Sequence, residues 1–235
     1  MPAARRQARP APRPVRRRTL AVEVADSLRD MILTGELTAE QRMTQDELAT
    51  LLGVSTMPVR EALLRLAAEG FVEVSPSRSF SVVPTTREDV HDVFWMHATL
   101  AAELTRRACA KGDPALAARL RDIEACFAAA RGAGDPAQLG AVNWEFHQAI
   151  NEAAGAPKLL RVLRSTLRFI PQGFYALVPE WSGASEQGHE AIVRAFEDGD
   201  PDTAAHAAET HVQEAGEILI RFFTGRGAWT RPDGA

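Results

Sequence analysis

The tightest constraint in this chain of 235 residues is the stretch from Thr44 to Leu66, where two short helical patterns are separated by little more than Gly53-Val54. In the first pattern Thr44 can cap the backbone while Glu47 reaches back from three residues on, and Leu48, Leu51 and Leu52 supply an inward face. Gly53 then closes it. In the second, Ser55 stands at the cap and Pro58 falls in the first turn, where no intrahelical donor is lost. Val59, Ala62, Leu63 and Leu66 face inward. Two short helices joined by a tight turn, the second presenting its N-terminal end outward, form a helix-turn-helix. Thr56, Met57 and Arg60 lie off the apolar stripe and are free to meet double-stranded DNA.

The flanks complete the module. Upstream, Val24, Leu28, Met31 and Ile32 recur at helical spacing until Gly35 ends the run. Downstream, Gly70 stops the second helix, and the β-rich runs Phe71-Val72-Glu73-Val74 and Phe80-Ser81-Val82-Val83 flank Ser75-Pro76-Ser77-Arg78-Ser79. A hairpin, or wing, is the simple expectation. Arg78 at its tip suits contact with phosphates in or beside the minor groove.

Charge divides the chain in the same place. Residues 1–85 hold twelve Arg against ten acidic side chains, and the remainder holds fifteen basic against twenty-one acidic, giving +2 and −6 within a total of −4. The first eighteen residues carry seven Arg, no acid, and Pro2, Pro10, Pro12 and Pro14. Proline and charge without apolar residues cannot offset the entropy of ordering, so residues 1–18 are expected to be a disordered arm. No apolar stretch follows it as in a secretory signal, the prolines argue against a mitochondrial presequence, and no run reaches the length of a membrane span, so a cytoplasmic protein is expected. Cys109 and Cys126 lack CxxC spacing and are expected to be buried thiols.

From residue 86 onward the sequence is helical in pattern. Asp113-Pro114, Asp135-Pro136 and Asp200-Pro201 each put a capping residue before a first-turn proline. With further starts at Thr85 or Thr86, after Pro157 and near Ser185, six or seven helices fit before Phe223. The expected fold class is mainly α: a winged helix-turn-helix over residues 19–84, an all-helical bundle over 85–224 and a flexible tail over 225–235.

Gly53-Val54-Ser55-Thr56-Met57-Pro58-Val59-Arg60-Glu61-Ala62-Leu63, followed by Arg65-Leu66 and Glu69-Gly70-Phe71-Val72, closely resembles the GntR family of bacterial repressors. The resemblance implies that Arg60 contacts an operator together with Ser55, Thr56 and Pro58 at the start of the same helix. The chain departs from the family pattern at three places: Thr56 stands where Arg is usual, Ala39-Glu40 where Pro-Gly is usual, and Ser79 near the usual wing Gly. Loss of an Arg removes a bidentate guanine contact, so the family's usual operator does not transfer.

In the helical half, Asn143 and His147 share a helix face at i, i+4, while His189 and His211 lie on two later helices. Spacing alone leaves open whether these histidines are metal ligands, hydrogen-bonded structure or plain surface. The segments Asn143-Trp144-Glu145-Phe146-His147, Gly188-His189-Glu190-Ala191-Ile192 and Glu197-Asp198-Gly199-Asp200, ending in His211, resemble the FadR branch of that family, whose C-terminal FCD domain binds ligands. That resemblance implies a divalent metal, zinc- or nickel-like, held by Asn143, His147, His189 and His211, with an effector carboxylate completing the coordination. Asn143 replaces the branch's Asp and removes a negative charge. His97 and Ala101 stand where the branch often has Arg and Glu. His97, Arg164 and Arg168 are candidate effector contacts, whereas His91 and His206 are expected at the surface.

The expected protein is a homodimeric, non-enzymatic regulator that binds an operator under control of a carboxylic acid. The alternatives are a regulator for which the ion itself is the signal, a metal-free pocket, and a metalloenzyme with Glu190 as a weak general base. No HExxH pattern, nucleophile elbow or phosphate-cradling loop is present.

Overall fold

The computed structural model describes residues 20–39, 41–75, 79–171, 178 and 180–225. The Arg-rich arm and the wing-tip Arg78 lie outside the described residues. The N-terminal module consists of α1 (Leu20–Leu33), β1 (Arg42–Met43), α2 (Gln45–Leu52), α3 (Thr56–Ala68), β2 (Val72–Val74) and β3 (Phe80–Val82). Thr44 and Glu47 form the expected reciprocal cap: the Glu47 amide donates to Thr44 Oγ1 at 3.2 Å and the Thr44 amide donates to Glu47 Oε2 at 2.8 Å. Gly53 adopts φ 65° and closes α2, a backbone conformation that costs glycine no Cβ clash.

Ser55 occupies the N-cap of α3, but its side chain makes no capping bond there. The physical reason is local. Pro58 sits three residues on and lacks the amide that a serine cap most often engages.

The wing is a three-stranded antiparallel sheet in the order β1-β3-β2, with Met43 and Val74 both opposite Phe80. Leu28, Val59, Leu63 and Leu66 are fully buried where α1 and α3 meet, and Phe71, Val72, Phe80 and Val82 close the core from the sheet side. Each large apolar side chain sealed in this way contributes roughly 1.5–3 kcal/mol, which is how so small a module stays folded.

The C-terminal body consists of α4 (Arg87–Cys109), α5 (Pro114–Ala133), α6 (Pro136–Ala153), α7 (Pro157–Thr166), α8 (Glu180–Asp198) and α9 (Pro201–Gly225). Six α-helices among the described residues fall within the expected number. Asp113, Asp135 and Asp200 each accept backbone amides of the first turn that follows. Helix α8 starts at Glu180 and not near Ser185, because Trp181 and Ser185 turn inward and extend its buried face. Helices α4 and α9 pack closely: a Cβ at Gly216 would lie 2.7 Å from the ring of Phe94. Cys109 is buried as expected, but Cys126 is exposed on α5. No helix among the described residues is long and apolar enough to cross a membrane.

A short seam joins the two bodies. After α7 the chain tightens into a 3-10 turn, Leu167–Phe169, and the Phe169 ring stacks on Phe71 with centroids 4.8 Å apart. Arg168 forms an ion pair with Glu69, whose carboxylate also takes Arg29 Nη2 at 2.6 Å.

Candidate metal centre and nucleic-acid face

At the start of α3, Ser55, Thr56, Met57 and Arg60 are exposed and Pro58 is half-buried. Met57 keeps 71% of its surface, far more than an unbranched apolar side chain retains when a core is available. Arg60 has no ion pair or hydrogen bond among the described residues. Its guanidinium is therefore not engaged in a surface salt bridge and stays available for a phosphate or a guanine edge.

The helical body brings the sequence-predicted histidines together. Asn143 and His147 sit one turn apart on α6, His189 on α8 and His211 on α9, and the ligand nitrogens of the three histidines lie within 4.8 Å of one another. His147 Nε2 and His211 Nε2 are 3.3 Å apart. Two ligands of one ion, each bonded at about 2.0–2.1 Å, have roughly that separation. His189 Nε2 and Asn143 Oδ1 are buried without a hydrogen-bond partner, an arrangement that costs free energy unless something else satisfies them. Gly188 allows the approach: a Cβ there would lie 2.4 Å from His211 Nδ1. The donor set, with three imidazoles and one amide oxygen, fits a zinc- or nickel-like ion.

Burial keeps these rings neutral, as a ligand must be. It lowers the pKa of His189 to about 3 and those of His147 and His211 well below the usual histidine value, with the neighbouring imidazoles adding to the effect. Phe146 lies 4.0 Å from the His189 ring in a stacked arrangement and Phe127 meets it edge-on, so water is kept from that side.

One member of the cluster was not singled out from the sequence. Glu124 on α5 is buried and its Oε2 lies 2.9 Å from His189 Nδ1, so it fixes which ring nitrogen faces the other histidines. Burial raises its carboxyl pKa to about 8. A signal existed: Glu124 lies on the stripe of Leu120, Ile123 and Phe127, where a carboxyl has no place in a purely apolar face.

Beside the cluster is a cavity of about 560 Å³ lined by His97, Asn143, Trp144, His147, Arg164 and His211, among others. Arg164 is the one permanently charged side chain among its described lining residues, and none of them is Asp or Glu. His97, on α4, contacts Thr166 Oγ1 through Nδ1 at 2.7 Å, and burial lowers its pKa to about 4. Arg164 reaches Gln148 Oε1 at 3.3 Å.

Arg168, expected beside Arg164, is not in the cavity wall. The 3-10 turn breaks the helical face that the spacing of four assumed, and Arg168 points to Glu69 of the N-terminal module. Glu190 also faces away, held by Arg121 and by Arg194 Nε at 2.6 Å. His91 and His206 are exposed.

Comparison with known proteins divides the chain along the same line. Residues 20–82 match the family described as bacterial regulatory proteins, gntR family, and residues 92–214 match the FCD domain. The chain is 29% identical over 229 residues to the putative L-lactate dehydrogenase operon regulatory protein of Escherichia coli (strain K12), covering 87% of this chain and 88% of that protein. It is 26% identical over 156 residues to an uncharacterized HTH-type transcriptional regulator of Mycobacterium tuberculosis, covering 65% of this chain and only 62% of the relative's length. The solved structure of E. coli McbR/YncC superposes with a TM-score of 0.64 at 24% identity, covering 86% of this chain and 98% of that one, which marks a shared fold.

Proposed function

The chain belongs to the gntR family of bacterial regulatory proteins that carry an FCD domain, and from that premise we propose a homodimeric, DNA-binding repressor whose operator affinity is set by a small carboxylic acid. The acid binds in the cavity beside a divalent metal ion held by His147, His189, His211 and Asn143. One observation carries this reading: the neutral imidazoles of His97, His147 and His211, together with Arg164, border a cavity of about 560 Å³ whose described lining has no carboxylate. Such a wall attracts an anion and has room for an organic molecule.

When bound, the ion supplies a Lewis-acidic position for a carboxylate oxygen. The chain's own residues do the rest. Glu124 orients His189, Phe127 and Phe146 keep that ring dry, and Arg164 offers a fork of donors to the acid. On the DNA side, two copies would set their α3 helices in successive major-groove faces about 34 Å apart, with Arg60 contacting bases or phosphates. Ligand binding changes operator affinity only through contacts that differ between the two states.

The cavity's size favours an organic effector over a regulator for which the ion alone is the signal, since an ion needs no such volume. Turnover has little support, because Glu190 is turned to Arg121 and Arg194.

The test combines metal analysis of the purified protein with gel shifts on DNA selected by the protein from a random pool. About one ion per chain is expected, and a stabilising carboxylic acid should release the DNA. An unchanged acid response after chelation would overturn the metal reading. Specific retention by Arg60→Ala equal to that of the parent would overturn the DNA-binding assignment.

A further inference from the structure

We infer that the effector carries a hydrogen-bond donor, a hydroxyl or an amino group, in addition to its carboxylate, and that His97 selects for it. The inference rests on the acid-sensing reading above and adds what one wall of the cavity demands of the ligand.

Thr166 is buried at the end of α7, and its hydroxyl donates to the Leu163 carbonyl at 2.7 Å. A hydroxyl has one proton, so towards His97 it can only accept. The 2.7 Å contact between His97 Nδ1 and Thr166 Oγ1 therefore has the imidazole donating. In a neutral ring, a proton on Nδ1 leaves Nε2 bare, a pure acceptor.

His97 lines the cavity, and its Nε2 has no hydrogen-bond partner among the described residues. Unlike Nε2 of His189, it is not among the sealed polar atoms, and we assign the cavity that His97 lines as the space it opens to. The Thr166–Leu163 contact thus fixes the tautomer of a ring on another helix.

This acceptor discriminates in two directions. A ligand with only methylene groups at His97 leaves Nε2 unpaired, which costs the interaction it could have made with water. A second carboxylate set against it brings lone pair to lone pair. A hydroxyl or amino group satisfies it. The carboxylate is then left to Arg164 and the imidazole cluster, while His97 recognises the neighbouring donor.

The test is calorimetric titration of the metal-loaded protein with matched pairs differing by one hydroxyl: L-lactate and propionate, L-malate and succinate, mandelate and phenylacetate. In at least one pair the hydroxy acid should bind about tenfold more tightly, the loss expected when one buried partner is removed. His97→Phe should abolish that difference, weakening the hydroxy acid and relieving the plain acid of the unpaired Nε2, while leaving metal content nearly unchanged. His97→Gln, which keeps an acceptor oxygen, should retain the preference even if the phenylalanine variant fails to fold. Thr166→Val should weaken it by freeing the tautomer. Nitrogen-15 NMR of the parent ring should report a protonated Nδ1 and a bare Nε2.

Equal affinities within every pair, or a proton found on Nε2, would overturn the role of His97 and leave the acid sensor standing. Failure of every acid to bind or to affect DNA release would overturn both.

Discussion

At Gly188 a single hydrogen decides whether three helices can meet. A methyl group there would collide with the His211 ring at 2.4 Å, and that ring is one of the proposed metal ligands. Gly188→Ala is expected to displace His211 and lower metal affinity by at least about tenfold, measured by competition with a chelator, while helix content stays the same. Glu124→Gln should lower it by about 10–100-fold, because Glu124 orients His189. Asn143→Asp should act in the opposite sense by restoring a negative ligand. The grouping of the three histidines was legible in the sequence because His147, His189 and His211 fell on separate helices with a matching family pattern. Glu124 was less so, since its partner lies sixty-five residues away and only the fold brings them together.

Among the elements, helix starts were the most legible feature, because a cap is written in three or four adjacent residues. The Asp-Pro pairs gave α5, α6 and α9, and Thr44 with Glu47 gave α2. The failures share a cause in longer-range contacts. Strand β1 is two residues long and exists only through pairing with β3, and the start of α8 depends on Trp181 finding a buried seat. The change to a 3-10 turn after Thr166 redirected Arg168.

The two N-caps of the helix-turn-helix separate stability from recognition. Thr44→Ala removes the hydroxyl half of its capping box, leaving the backbone amide of residue 44 to donate to Glu47, and is expected to cost about 1 kcal/mol in denaturant unfolding. Ser55→Ala removes no capping bond and is expected to stay within about 0.5 kcal/mol of the parent, yet to weaken operator retention in a gel shift.

For the molecule as a whole, four half-buried or buried histidines set an acid limit. The pKa of His97 is lowered to about 4 and that of His189 to about 3, with His147 and His211 shifted the same way by burial. In the unfolded chain they titrate near 6.5, so between those limits the unfolded state binds more protons and stability rises with pH. The stabilisation is complete above about pH 6.5 and is lost as pH falls towards 4 and below. In metal-free protein His97 should account for a loss of about 2 kcal/mol between pH 7.5 and 5, read as the difference in denaturant midpoints between the parent and His97→Phe, which cancels the opposite pH dependence of Glu124 with its raised pKa. Metal loading should delay the loss contributed by the cluster.

The seam between the two bodies has a consequence for exchange of parts. Thr166, which fixes His97 at the cavity, immediately precedes the turn whose Arg168 and Phe169 meet Glu69 and Phe71. A foreign winged module grafted ahead of residue 87 should inherit the acid response if it presents an acid and an aromatic ring at those two places. Without them it should bind its own operator and ignore the ligand.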